Sequence, residues 1–383
     1  MISVLNLLKL IPDEKLEDLA AETKVDYQVK KLHGSCMFKL FMFALLQSSK
    51  PSLRIIESLF ESMHFRMVAG YENETTKFNS ISDRLATMNY EFFERIFHFV
   101  FQEFNTLFKE EKAIQRYDST MIAMSSALVD WGMHVGRKTD KVQLKYTIGM
   151  KGSFPCHVRI FDTQDALAED NTIPVAILEN AVSATSIIVF DRGVKSRKIF
   201  GEFTKENRWF VTRLNTDASY KIIKKLRIPK EDDRNTVIIV EHLIVNLKIR
   251  NKWDTAQYRL VRATIKETGE LIYFITNSTE LSAYQIAYCY KQRWDIEPFF
   301  KFLKQHLNLN HLVSKNDNGR KVMIYMTLII AILIIAYKKL NKISSLKIAK
   351  FMFCQALEEM IVKEIITLSG GNFEKVKHLF NDS

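Results

Sequence analysis

Four side chains near the end of the chain have types and spacing suited to chemistry: Tyr290, Arg293, Glu297 and Lys304. Their offsets are 0, 3, 7 and 14. At about 100° per residue of helix they fall near 0°, 300°, 340° and 320°, one narrow stripe. An acid, two cations and a phenol make a poor packing face. Ile286, Phe299, Phe300, Phe302 and Leu303, interleaved with them, can supply the buried surface instead. A carboxylate flanked by cations on one stripe can set a metal ligand against a phosphate backbone. The same pattern also suits a solvated face laced with i,i+4 ion pairs. Pro298 directly follows Glu297, so the helix either kinks there or begins a new segment.

Two aspartates join this stripe. Asp118 interrupts an apolar strand in RYDST, where an uncompensated charge is costly. Asp191 ends the run SIIVFD before Arg192 and Gly193, and the C-terminal ends of strands are where open α/β sheets build sites. Each alone fits an ordinary strand-end or turn aspartate. With Glu297 they make three hard oxygen donors, suited to Mg²⁺ or Mn²⁺ rather than zinc. Two such ions about 3.5–4 Å apart clamp the attacking and leaving oxygens of an in-line phosphoryl displacement. The histidines His134, His157, His306 and His311 show no metal spacing, and no serine or cysteine nucleophile is signalled.

These groups need a scaffold. Residues 1–110 read as helices, including an apolar 37–46 opened by Gly34 and Ser35, a segment capped by Ser49 before Pro51, and an aromatic-rich 90–108. From Ala113 the pattern changes: strands at 113–124, 141–150 and 156–162 form a meander, with Gly152 and Pro155 as turn signals. A helix at 169–181, a buried strand at 186–191, a helix at 196–207 and a strand at 208–214 follow. This β-β-β-α-β-α-β order is a mixed α/β layer fold. Residues 215–280 read as a basic, turn-like stretch and then strands ending in a hairpin, an all-β insertion before the 281–312 helix; 313–383 is helical again.

Composition narrows the function classes. The chain has 383 residues, 47% hydrophobic and 26% charged, which is globular rather than disordered. A net charge of +11 favours a polyanionic partner. Cys36, Cys156, Cys289 and Cys354 form no CxxC pair and read as reduced, buried thiols. The apolar run 322–337, between Lys321 and Lys338, is shorter than the roughly 20 residues of a span. It reads as a buried helix, with membrane attachment as the alternative.

The string Y-x2-R-x3-E-x6-K from Tyr290 to Lys304 matches the signature of DDE transposases of the insertion-sequence-four type. RYDST and VFDRG resemble that family's first and second catalytic motifs, and Lys145 in QLKYTIG meets its second-strand lysine. The resemblance implies a ribonuclease-H-like core with a β insertion, and a helical N-terminal DNA-binding region. It implies that Asp118, Asp191 and Glu297 hold two Mg²⁺ ions, and that Tyr290, Arg293 and Lys304 hold transposon-end phosphates. It further implies cut-and-paste transposition at terminal inverted repeats through a hairpin, by a homodimer acting on transposon-end and target DNA. Its setting would be the bacterial cytoplasm at the nucleoid, with no membrane partner. The resemblance also implies a base flipped out beside the hairpin and stacked on a tryptophan, for which Trp253 in the insertion and Trp209 are candidates, Trp209 reading first as core packing; Trp294 reads as packing or a DNA wall. The rivals are a related nuclease or resolvase, and an inactive DNA-binding relic.

Overall fold

A computed structural model of the chain describes residues 4–48, 50–70, 74–108, 114–125, 133–134, 141–180, 186–228, 230, 236–310, 312–314 and 316–375. Ser49, Ala113, Ala181, His311, part of the basic stretch after 220 and most of 373–380 lie outside the described residues.

Helices α1 (Val4–Leu8), α2 (Asp13–Thr23), α3 (Gly34–Gln47), α4 (Leu53–Phe60), α5 (Met63–Ala69), α6 (Phe78–Thr87) and α7 (Glu91–Leu107) come first. Strands β1 (Ile114–Ser125), β2 (Met133–His134), β3 (Lys141–Lys151) and β4 (Phe154–Phe161) follow, then α8 (Ile173–Glu179), β5 (Ile187–Phe190), α9 (Arg197–Lys205) and β6 (Trp209–Leu214). Next are β7 (Tyr220–Lys225), β8 (Val237–Ile249), β9 (Lys252–Trp253), β10 (Tyr258–Ile265) and β11 (Leu271–Thr276). The chain then returns to helix in α10 (Ala283–Lys291), α11 (Ile296–His306), α12 (Asp317–Leu340) and α13 (Leu346–Leu368). It divides into two compact units: residues 1–109 with 300–383, and residues 110–299.

The second unit is built on a mixed sheet ordered β2-β3-β1-β5-β6-β11-β10-β8-β7, with β4 on β3 and β9 on β8. The meander is antiparallel, and β1, β5 and β6 run parallel. This is the ribonuclease-H-like arrangement. The insertion strands continue the same sheet, because β11 pairs with β6. On one face Phe190, Phe200, Phe203 and Phe210 pack together with α8 and α9 residues; on the other, Val189, Val211, Val261 and Phe274 pack under α10.

Several local expectations shift. Pro155 lies inside β4 rather than in a turn, at a register shift on a strand paired with β3 alone. Residues 220–225 form strand β7 and not a turn; its lysines are exposed, and charge is how a sheet edge is kept from pairing further. The cap of α4 is Ser52, whose hydroxyl accepts from the Ile55 N–H at 3.3 Å. The helix expected at 169–181 is a 3-10 turn over Glu169–Asn171 followed by α8.

The first unit is helical. One stripe of α7, Phe92, Phe93, Ile96, Phe97, Val100 and Phe104, is buried at helical spacing. Every residue from Val322 to Tyr337 in α12 is buried inside the protein. The apolar run is therefore covered by protein on all sides, the environment of a core helix. Tyr325 fixes its rotation by donating to Glu94 on α7 at 2.5 Å. Leu328 is fully buried, so Leu328→Ala is expected to cost about 2–5 kcal/mol, read from urea unfolding of the purified protein. A cost near zero would rule out this core role.

Candidate active site

Asp118 and Asp191 are brought together by register. In the parallel pair β1–β5, Tyr117 lies opposite Phe190. The next residue on each strand is an aspartate, so both carboxylates sit at neighbouring positions one residue past the last pair. Tyr117 is fully buried, and it fixes where β1 can go. Asn180 Nδ2 donates to its hydroxyl at 2.6 Å, and the hydroxyl donates to Gln115 at 3.3 Å. Its ring lies against Gly149 across the β1–β3 pair, where an added Cβ would meet ring carbons at 2.8 and 2.9 Å.

The helix stripe docks on these strands. A capping box at Ser282 and Gln285 starts α10. The stripe then passes through a 3-10 turn, Gln292–Asp295, before α11. Pro298 is the third residue of α11, where a missing backbone N–H costs little. Arg116 holds the turn, with its guanidinium 2.9 Å from Asp295 and 3.4 Å from the Gln292 carbonyl. Arg116 and Asp118 are two apart on one strand and so face the same side.

Arg293 is the centre of the cluster. Its guanidinium meets Asp118 at 3.0 Å, Glu297 at 3.0 Å and Asp191 at 3.7 Å. Tyr290 donates to Asp191 Oδ1 at 3.1 Å. Arg293 is only 7% exposed, so the three carboxylates, from β1, the end of β5 and α11, converge on one enclosed cation. Burial alone would weaken the Arg293 charge, but Tyr290, Asp118 and Asp191 outweigh it and raise its pKa. Burial pushes Asp118 up to about 6, against the pull of Arg293 and the Ser119 N–H. Asp191 and Glu169 push it further in the same direction. Burial, followed by the charge of Asp191, pushes the Tyr290 hydroxyl up to about 12.

The other expected residues are placed differently. Lys145 is 1% exposed, reaching Glu169 at 3.0 Å and the Leu167 carbonyl at 3.1 Å. The family resemblance would put Lys145 among the DNA-contacting residues; in this structure its ammonium is buried and paired with Glu169. Lys304 is half-buried on α11, and burial lowers its pKa. Trp294 and Trp253 are 60% and 49% exposed. Trp209 starts β6, opposite Ile187. Arg116, Asp295 and Glu169 were not anticipated. Arg116 stands in the same RYDST string as Asp118 and could have been found by strand period; Glu169 carries no local signal.

The transposase DDE domain family model matches residues 111–333, well over half the chain, and the chain belongs to that family. It is 27% identical over 188 residues to y4zB of Sinorhizobium fredii, which carries a transposase name; the match spans 49% of this chain and 51% of that one. It is 26% identical over 321 residues to the protein named for transposition of element IS4SA in Synechocystis sp., covering 82% and 83%. A third relative, named for element IS5377 of Geobacillus stearothermophilus, is 22% identical over 246 residues, covering 63% and 62%. The chain thus spans about half the length of the first of these relatives.

The family implies a divalent metal, and the donor set can be tested for it. Among the described residues no three acids, histidines or cysteines form a ready metal cage. The carboxylates stand around the Arg293 guanidinium instead. All three donors are hard oxygens already gathered on a positive charge, so their chemistry fits a hard divalent cation.

Two outcomes follow from this electrostatics. Arg293→Ala should lower the Tm in divalent-free buffer, because the acids lose their cation. Mg²⁺ should then raise the Tm more in the variant than in the wild type. An equal response in both would count against a shared cation site. For Asp118, the folded pKa of about 6 exceeds the ordinary 3.8, so between these values the native state binds more protons than the unfolded one. Its contribution to stability is therefore lost as pH rises from about 4 to 6. Asp118→Asn should flatten that part of the urea-midpoint profile, and a profile identical to wild type would refute the assignment.

Proposed function

We propose that the chain is a DNA transposase of the insertion-sequence-four type, moving its own element by cut-and-paste. The observation that carries this is the gathering of Asp118, Asp191 and Glu297 on one guanidinium at the ends of two parallel strands. A nuclease needs that acid geometry where a phosphodiester is cut. The Tyr290-to-Lys304 signature and the transposase names of the relatives support the finer family assignment.

In this reading Asp118, Asp191 and Glu297 would hold two Mg²⁺ ions, or Mn²⁺ in their place. When bound, such ions supply Lewis-acid stabilisation of the attacking and leaving oxygens. Arg293, released from the carboxylates, forks onto a phosphate of the transposon end, while Lys304 adds a point charge and Tyr290 a hydrogen bond. Lys145 acts one step back, by holding Glu169 beside the Asp191 turn. The reaction begins with hydrolysis at the transposon 3′ end. The freed 3′-hydroxyl attacks the opposite strand to give a hairpin, and after reopening it attacks target DNA. Trp253 stacks a base flipped out beside the hairpin, which offsets part of the few kcal/mol that flipping costs. Trp294 walls the DNA path. A homodimer joins two terminal inverted repeats, in the cytoplasm at the nucleoid.

The test is cleavage of a labelled duplex bearing the element's terminal repeat, with Mg²⁺. Wild type should nick it and form a hairpin. Glu297→Ala should bind the duplex equally and cut it about 10²- to 10³-fold more slowly, the scale of losing a principal electrostatic contributor. Wild-type protein that binds the repeat and leaves it intact would overturn the catalytic reading, and cutting without preference for the repeat would point to a plain nuclease.

A further inference from the structure

The sheet unit carries a second charged feature, whose lining includes none of the three carboxylates. A cavity of about 750 Å³ lies between the start of α9 and the β7–β8 edge. It is lined by Lys195, Arg197, Lys198, Lys248 and Arg250 with Ser219, and no acid is among its lining residues. Five cations facing one hollow repel each other, so a fold keeps them together at a cost unless an anion joins them.

The five are not equivalent. Arg197 is structural: its guanidinium donates to the Lys248 carbonyl at 2.7 Å and the Ser219 carbonyl at 3.3 Å, tying α9 to the strands. Lys198 is 3.5 Å from Glu202, one turn along its own helix. Asp170 accepts from the Ser196 N–H at 2.7 Å, so the backbone at the start of α9 is already occupied. The cradle therefore rests on the side chains of Lys195, Lys248 and Arg250. Arg250 holds φ at +53°, a left-handed backbone that glycine or asparagine adopts at lower cost.

Two neighbours identify the anion. Lys248 lies opposite the exposed Trp253 across the β8–β9 pair, so these cations adjoin the ring to which the proposed function gives a flipped base, and both fit one nucleic-acid path. Lys195 follows Asp191 by four residues, which limits their separation to about 14 Å of chain. That is about four base pairs at roughly 3.4 Å each.

We propose that Lys195, Lys248 and Arg250 form a phosphate cradle that grips the backbone of duplex DNA a few base pairs from the cutting site. The inference rests on the transposase reading. It adds a positioning role: the cradle sets register along the duplex and carries no sequence information.

The experiment is fluorescence anisotropy of a labelled terminal-repeat duplex and an unrelated duplex of equal length, without divalent metal, over about 50 to 200 mM salt. The variant combines Lys195→Ala, Lys248→Ala and Arg250→Gly, and leaves Arg197 in place. Its affinity for both duplexes should fall alike. The slope of log K against log salt should become shallower by about 2.7, or 0.9 for each phosphate no longer neutralised. Thermal melting should match wild type; if the triple variant melts early, the three single variants are measured, each expected to reduce the slope by about 0.9. Exchanging each residue for the other cation, Lys195→Arg, Lys248→Arg and Arg250→Lys, should restore the slope. An unchanged slope in the alanine–glycine variant overturns the cradle, as does weakened binding confined to the terminal repeat. If wild type binds no duplex at all, the cradle and the transposase reading fall together. If it binds but never cuts with Mg²⁺, only the reaction fails, and the slope still decides the cradle.

Discussion

The site depends on one interaction, the enclosure of the Arg293 guanidinium by carboxylates from three separate elements. Acids this close repel, and Asp118 is buried enough that its charge is costly. A cation at their centre makes the arrangement tolerable in the absence of metal or DNA. It also explains the local build of the stripe. The 3-10 turn between α10 and α11 presents Arg293 towards β1, and Arg116 with Asp295 holds that turn on the strand. Pro298 then opens α11 without cost to its hydrogen bonding.

In the proposed function Arg293 has two roles that exclude each other in space. While it sits among the carboxylates it is 7% exposed and has no access to a phosphate. In the proposed function, the three carboxylates would be neutralised by the divalent metal they hold, leaving the guanidinium available to the DNA. Charge balance, rather than shape alone, would then couple metal entry to DNA grip.

Around this centre, small steric decisions matter. Gly149 leaves room for the Tyr117 ring next to Asp118. At Gly193 an added Cβ would meet Glu169 Cγ at 2.8 Å, so a side chain there would have to displace Glu169. Glu169 in turn keeps Lys145 paired and buried. The second-strand lysine is thereby an internal, paired residue of this structure.

Much of this was determined by local pattern. Strand alternation, the buried run ending at Asp191 and the helical spacing from Tyr290 to Lys304 are short-range properties, and they set out the order of elements along the core and pointed to Asp118, Asp191 and Glu297. The α12 run was legible for the same reason: 16 apolar residues between lysines need a covered environment. Other features were decided only by tertiary packing. Strand β7 looks like a charged turn, because an edge strand has no buried face to write a pattern. The exposure of Lys145 depends on Glu169, 24 positions away and brought close by the fold. Sequence spacing could place Arg293 on the stripe beside Glu297. Whether it faced solvent or three acids depended on the β1–β5 register and the Arg116 clamp, and long-range pairings of that kind leave no periodic trace in the chain.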